Sequence, residues 1–171
     1  VQALAKLPQE LRDRVEFHLW GPEQQDAEAQ AFVGELREFI EKNELHQTVF
    51  LHGSTNKVVE SLQSGHFVVV ASENEPCSVS LMESLALGLP ALAARSGGNV
   101  DIVQDGKTGV LFESGSAEDL KDKLVSILSG DVQLQPPAEI RESVRGWAAS
   151  AMTEKYNRIY EHMAQLNSAK S

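Results

Sequence analysis

Short apolar runs alternate along the chain with stretches in which apolar residues recur every three or four positions. Val15–Trp20, Thr48–His52, His66–Ala71, Pro90–Ala94 and Gly109–Phe112 are of strand length, partly β-branched, and bounded by Gly, Pro, Ser or Asn. Glu23–Lys42, Lys57–Gln63, Ser78–Leu87 and Ala117–Leu128 carry helical spacing between them, and Asn99–Gln104 predicts one shorter turn. Gly88 suits a helix stop before Pro90, and Gly115-Ser116 suits a cap ahead of Ala117. Strand–helix–strand alternation with nearly continuous apolar strands implies a parallel sheet covered on both faces, joined by right-handed crossovers: a Rossmann-like α/β/α sandwich. After Leu128 the pattern changes. Pro136-Pro137 breaks the chain, two helices follow over Ala138–Gly146 and Trp147–Leu166, and the last five residues should fray.

Composition narrows the possibilities. The 171 residues suit one domain, and 42% hydrophobic content with only 6% aromatics suits a core of Leu, Val, Ile and Ala. A net charge of −10 opposes a sequence-independent grip on nucleic acid, which needs Lys and Arg against phosphates. A small anion can still be held by helix N-termini and backbone N–H groups. Cys77 is the only cysteine, so no internal disulfide can form, and the five histidines lack the spacing of a structural zinc site. No apolar run approaches the ~20 residues that span a bilayer. The opening Val-Gln-Ala-Leu-Ala-Lys-Leu reads as helix interior, which suggests a chain cut from something longer.

In such sheets ligands bind beyond the carboxyl ends of the strands, which directs attention to Gly21-Pro22, Gly53–Asn56, Ser72–Ser78, Arg95–Asn99 and Glu113–Ser116. The richest of these follows a strand and opens a helix, from Ala71 through Glu75, Pro76, Cys77, Ser78 and Val79 to Glu83. Pro76 suits a first helical turn and Ser78 can cap free amides there. The eight-residue spacing separates Glu75 from Glu83 by about 12 Å along a helix axis. A nucleoside diphosphate sugar laid across this start would bring its phosphates to the N–H groups of Cys77, Ser78 and Val79 at the positive end of the helix dipole. Glu75 and Glu83 could then accept charge-assisted hydrogen bonds from sugar and ribose hydroxyls. The plainer reading is a loop solubilised by Glu73 and Glu75, with Glu83 on a helix surface. Cys77 fits packing at the helix start better than nucleophilic catalysis.

Six segments in register resemble the C-terminal domain of glycosyltransferase family four, whose members have the GT-B fold and retain anomeric configuration. Val15–Pro22 is similar to the family's strand ending in Gly-Pro, and Val49–Gly53 to its V-x-F-x-G strand. Glu75–Glu83 matches the E-x7-E signature, and Glu83–Pro90 the E-A-M-A-x-G-x-P continuation. Gly97-Gly98-Asn99-Val100-Asp101-Ile102-Val103 resembles G-G-x-x-E-x-V, and Asp105–Leu111 resembles D-G-x-T-G-x-L. Trp147, Tyr156 and Tyr160 are similar to the tail that crosses back toward the N-terminal domain.

The resemblance implies retaining transfer from a nucleoside diphosphate sugar, with no cofactor and no metal. It assigns Glu75 to the donor sugar as the catalytic contact, Ser78 to phosphate or sugar, and Glu83 to the ribose. It places Pro76, Cys77, Val79, Gly21, Gly53, Ser54 and Thr55 along the substrate, and Gly97 and Gly98 where backbone approaches ligand. Residues 1–146 would form the nucleotide-sugar-binding domain, its first strand apparently missing, and 147–171 a helix packing toward an absent N-terminal domain. The expected partners are the nucleotide sugar, that domain, and an acceptor that can be lipid-linked, with no nucleic acid. The expected location is the cytoplasm, the full-length protein being able to sit at the inner membrane face. Departures are Pro76-Cys77-Ser78 in place of a Gly-rich turn, Asp101 in place of Glu, and no counterpart before Val15 to the family's Arg and Lys diphosphate clamp. A non-catalytic nucleotide- or sugar-binding module and a nucleotide-sugar epimerase stay open as alternatives.

Overall fold

The computed structural model describes residues 1–22 and 26–168. In chain order the elements are α1 (Gln2–Ala5), α2 (Gln9–Arg12), β1 (Phe17–Leu19), α3 (Ala27–Lys42), β2 (Val49–Leu51), α4 (Val58–Gln63), β3 (Val68–Val70), α5 (Val79–Ala86), β4 (Ala91–Ala94), α6 (Asn99–Ile102), β5 (Gly109–Phe112), α7 (Ala117–Leu128), α8 (Pro137–Ser143) and α9 (Ala149–Ser168), with a 3-10 turn over Arg145–Trp147. The chain divides into two compact units, Val1–Ser64 with Phe112–Gln133, and Gly65–Leu111 with Leu134–Ser171.

In the first unit β1 and β2 run parallel, Phe17 opposite Val49 and Leu19 opposite Leu51. Strand alternation sends Phe17, Leu19 and Val49 to one face, where they meet Leu4, Leu7, Ile40 and Leu45, together with Leu124 and Val125 of α7. The opening segment is helical as expected but broken: Pro8, without an amide proton, ends α1's run and serves as N-cap of α2. α3 starts at Ala27 because the Asp26 carboxylate accepts the Ala29 amide at 2.9 Å. The expected helical residues before it, 23–25, lie outside the described residues.

An ion pair ties α1 to α7, Lys6 Nζ standing 2.8 Å from Glu118 Oε2. Hydrogen bonds from Lys121 and then Lys6 hold the Glu118 carboxyl down at about 2. A carboxyl lowered in the folded state contributes stability above its ordinary range and loses it as pH falls through the folded value. Glu118→Gln should therefore melt slightly below the wild-type chain at pH 7, the gap closing between about pH 4.5 and about 2. Thermal melts of both proteins across that range measure it. The effect is small because the pair is solvated.

In the second unit β3 and β4 are parallel, Val68 opposite Ala91 and Val70 opposite Ala93, with β5 on the far side of β4. All four β4 residues are fully buried, as expected of a strand flanked on both edges. The small side chains of Ala91 and Ala93 leave room for Leu81 and Leu85 of α5 and for Ile102, Val103 and Leu111, and the cluster is closed by Ile140 and Val144. α8 begins with Pro137 in its first turn, where the missing N–H costs nothing. Arg141 Nη1 donates to the Leu87 carbonyl at 2.9 Å, placing a cation at the C-terminal end of α5. α9 carries Tyr156, Ile159, Tyr160, Met163 and Leu166, each more than half exposed, along one stripe.

Among the described residues the strands thus form two sheets, of two and three strands, where alternation alone implies one. The final helix starts at Ala149, not Trp147, and is continuous through Ser168, so the expected fraying of the tail does not hold for residues 167 and 168. Residues 169–171 lie outside the described residues. Among the described residues no helix is long and apolar enough to cross a membrane.

Candidate functional site

The loop from Ala71 to Ser78 leaves the carboxyl end of β3 and enters α5. Ser78 is the N-cap: its backbone is extended, its side chain is buried, and its Oγ accepts the Leu81 amide at 3.3 Å. With Leu81 served by the cap, the amides of Val79 and Ser80, at the first two helical positions, are left without intrahelical acceptors. Leu81, Ser84 and Leu85 face the core at i, i+3 and i+4. That spacing turns Val79 and Glu83 outward, and both are exposed. Glu75 is half-buried in the loop.

Two sequence expectations for this loop are corrected. Pro76 lies in the loop three residues before α5, because Ser78 and not Pro76 sets the helix start. For the same reason Cys77 precedes the cap and is exposed, so it is no packing residue.

The loop is held from below by the turn Arg95–Gly98, which follows β4. The Gly98 amide donates to the Glu75 carbonyl at 2.9 Å, and the Asn74 amide donates to Ser96 Oγ at 2.8 Å. The backbones approach so closely that a Cβ at Gly98 would lie 2.2 Å from the Pro76 carbonyl oxygen. One at Gly97, whose φ is +52°, would lie 2.3 Å from that of Glu75. The space that these glycines leave open is therefore filled by the Glu75–Pro76 backbone. Sequence reasoning missed Asn74, Ser96 and Asn99 as parts of this support. Asn74 has φ +56°, and the readiness of Asn to adopt that conformation was the one available signal.

Of the remaining candidates, Gly21, Gly53, Ser54 and Thr55 belong to the first unit. The Gly21 amide donates to the Gly53 carbonyl at 2.9 Å, joining the loops after β1 and β2. Thr55 Oγ1 accepts the Lys57 amide at 3.0 Å just before α4, and Ser54 is exposed. Beside them His18 Nδ1 and His52 Nε2 are 2.7 Å apart, and Trp20 stacks on His52 with ring centroids 4.0 Å apart. Among the described residues no group of three or more His, Cys, Asp or Glu side chains is arranged to hold a metal ion.

Comparison with known proteins bears on the family and the fold. The chain is 36% identical over 134 residues to a sulfoquinovosyl transferase of Arabidopsis thaliana, a match covering 74% of this chain and 25% of that protein. It is 26% identical to the N-acetyl-alpha-D-glucosaminyl L-malate synthase of Bacillus anthracis, over 94% of this chain and 40% of that one. It thus spans between a quarter and two-fifths of these relatives' lengths. In fold it is similar to a glycosyltransferase of Rickettsia africae, with TM-score 0.78, 22% identity, and coverage of 95% of this chain and 43% of that chain. It is also similar to the Anabaena protein HepE in complex with UDP, with TM-score 0.75, 23% identity and the same two coverages. The family model for glycosyl transferases group 1 matches residues 1–147, and with it the α/β architecture and the transferases among its relatives find one explanation: this chain belongs to the glycosyl transferases group 1 family.

Proposed function

We propose that the chain is the donor-binding part of a retaining, family-four-like glycosyltransferase that moves a sugar from a nucleoside diphosphate to an acceptor without a metal. One observation carries the reading. The capped start of α5 presents free amides between a half-buried Glu75 on one side and an exposed Glu83 on the outer face of the helix. Amides at a helix start suit a diphosphate, and a carboxylate on either side suits the hydroxyl groups of sugar and ribose. Among structures of similar fold, HepE has been seen with UDP, with UDP-glucose, and with UDP and glucose, which supports a nucleotide sugar as the ligand. The acceptor would be held by a second domain, and the exposed stripe on α9 is the face we assign to meeting it.

Calorimetric titration with UDP, GDP, ADP and their glucose conjugates tests the reading. One nucleoside diphosphate should bind, in the high micromolar range if amide and dipole contacts of ~1–2 kcal/mol are the main attraction. Glu83→Ala should weaken that binding by about 1.5–3 kcal/mol, the cost of truncating one charged hydrogen-bonding partner, with no change in melting temperature. Equal affinity in the variant and the wild type would return Glu83 to an ordinary helix surface.

A further inference from the structure

We propose that Asn99 is a positioning residue for Glu75, fastening the turn on which the Glu75 loop rests. The proposal takes Glu75 as the sugar contact and so rests on the function given above. Asn99 opens α6 directly after Gly98 and is completely buried. Its Nδ2 donates to the carbonyl of Ala94, the last residue of β4, at 3.1 Å. Its own amide donates to the Ser96 carbonyl at 3.2 Å, closing the turn over Arg95–Gly98. One residue thereby joins the buried strand to Gly98, whose amide holds the Glu75 carbonyl and whose missing Cβ leaves space for that of Pro76.

Packing alone does not account for an asparagine here. Among the described residues Oδ1 is buried with no hydrogen-bond partner. A buried acceptor left unmet is costly, and a leucine of similar size would remove that cost. The amide is retained where its donor has a task, and the task in this geometry is the bond to Ala94. Ser96 makes a second, independent tie by accepting the Asn74 amide. The two residues hold the loop at its two hydrogen bonds to the turn described above, one through the Gly98 amide and one through the Asn74 amide. Glu75 lies between those contacts, so its carboxylate is set by the turn beneath it and not by its own neighbours in the loop alone.

The test uses Asn99→Leu and Ser96→Ala with two readouts. Hydrogen exchange at the Gly98 and Asn74 amides reports the loop without any ligand. The ratio of UDP-glucose to UDP affinity reports Glu75, because only the sugar conjugate reaches it. Exchange at Gly98 should quicken at least tenfold in Asn99→Leu and exchange at Asn74 likewise in Ser96→Ala. Exchange at Phe17, in the other unit, should be unchanged. The affinity ratio should fall to about one while UDP affinity holds. Unchanged exchange at Gly98 in Asn99→Leu would overturn the proposal, and so would a preserved ratio despite faster exchange. An equal loss of UDP and UDP-glucose affinity with a lowered melting temperature would do the same, marking Asn99 as a general fold residue. Should Asn99→Leu fail to fold, Ser96→Ala carries the test of the loop by itself. If the wild-type chain binds none of the UDP, GDP and ADP glucose conjugates more tightly than the diphosphate itself, the functional reading fails, and the exchange rates alone then decide whether Asn99 holds the loop.

Discussion

Glu75→Gln should lower sugar transfer by roughly 10²–10³-fold, the usual loss when one group aimed at developing transition-state charge is removed. The substitution keeps the size of the side chain and replaces a carboxylate with a neutral amide. Hydroxyl groups of the donor sugar would lose a charge-assisted acceptor, and positive charge growing at the sugar would lose its counterpart. Nucleoside diphosphate binding should survive, because the amides at the start of α5 and the Glu83 carboxylate are untouched. The assay is turnover with a nucleotide sugar, in a protein where this chain is joined to an acceptor-binding domain. The 171-residue chain by itself is the control and should transfer nothing, since orientation of the acceptor and exclusion of water both require closure against a second domain. Full activity in Glu75→Gln would remove Glu75 from the chemistry. Turnover by the chain alone would remove the second domain from it.

Gly98→Ala and Gly97→Ala should be among the most damaging single-methyl changes in the second unit, beside Gly109→Ala and Gly88→Ala. At the first two positions the added carbon meets a backbone carbonyl oxygen, 2.2 Å away for Gly98 and 2.3 Å for Gly97, and a carbonyl cannot swing aside as a side chain can. Overpacking of this kind costs about 1–3 kcal/mol. At Gly97 the left-handed backbone adds ~1–2 kcal/mol for a residue with a Cβ. For a protein of this length each kcal/mol lowers the melting temperature by roughly 2–4 °C, so Gly97→Ala should lose about 4–20 °C. Gly21→Ala is the comparison, because among the described residues nothing lies within 4 Å of its added carbon. A melt of Gly97→Ala within a degree of wild type would mean that the two loops are not packed as described.

The elements were legible because their signals are local. β5 and α7 fall at the limits read from the sequence, Gly109–Phe112 and Ala117–Leu128, since Gly-Ser ahead of α7 and an unbroken apolar run in β5 leave little choice. Ser78 was legible as a cap for the same reason. Which strands are hydrogen-bonded neighbours was not legible, because alternation fixes the direction of strands but carries no information on pairing, and the strands divide between two sheets. The support beneath Glu75 was hidden more deeply. The Gly98 amide meets the Glu75 carbonyl and Ser96 meets Asn74 across 22 residues or more, so no spacing rule can connect them. Gly97-Gly98 drew attention from the sequence, but what fills the space beside the pair is a matter of tertiary packing.

The helix α5 is fixed at both ends, by the Ser78 cap at its start and by Arg141 on the Leu87 carbonyl at its finish. A helix so anchored behaves as a ruler. Val79 and Glu83 are four residues apart on its outer face, about 6 Å at the usual rise per residue, and neither end can slide to shorten that distance. If a ligand is gripped at the helix start and again at Glu83, it is selected by its span as well as by its groups. The phosphate held at the helix start and the hydroxyl groups held at Glu83 must then stand about that far apart, and a ligand whose hydroxyl-bearing ring is set further from its phosphate would reach one grip and miss the other.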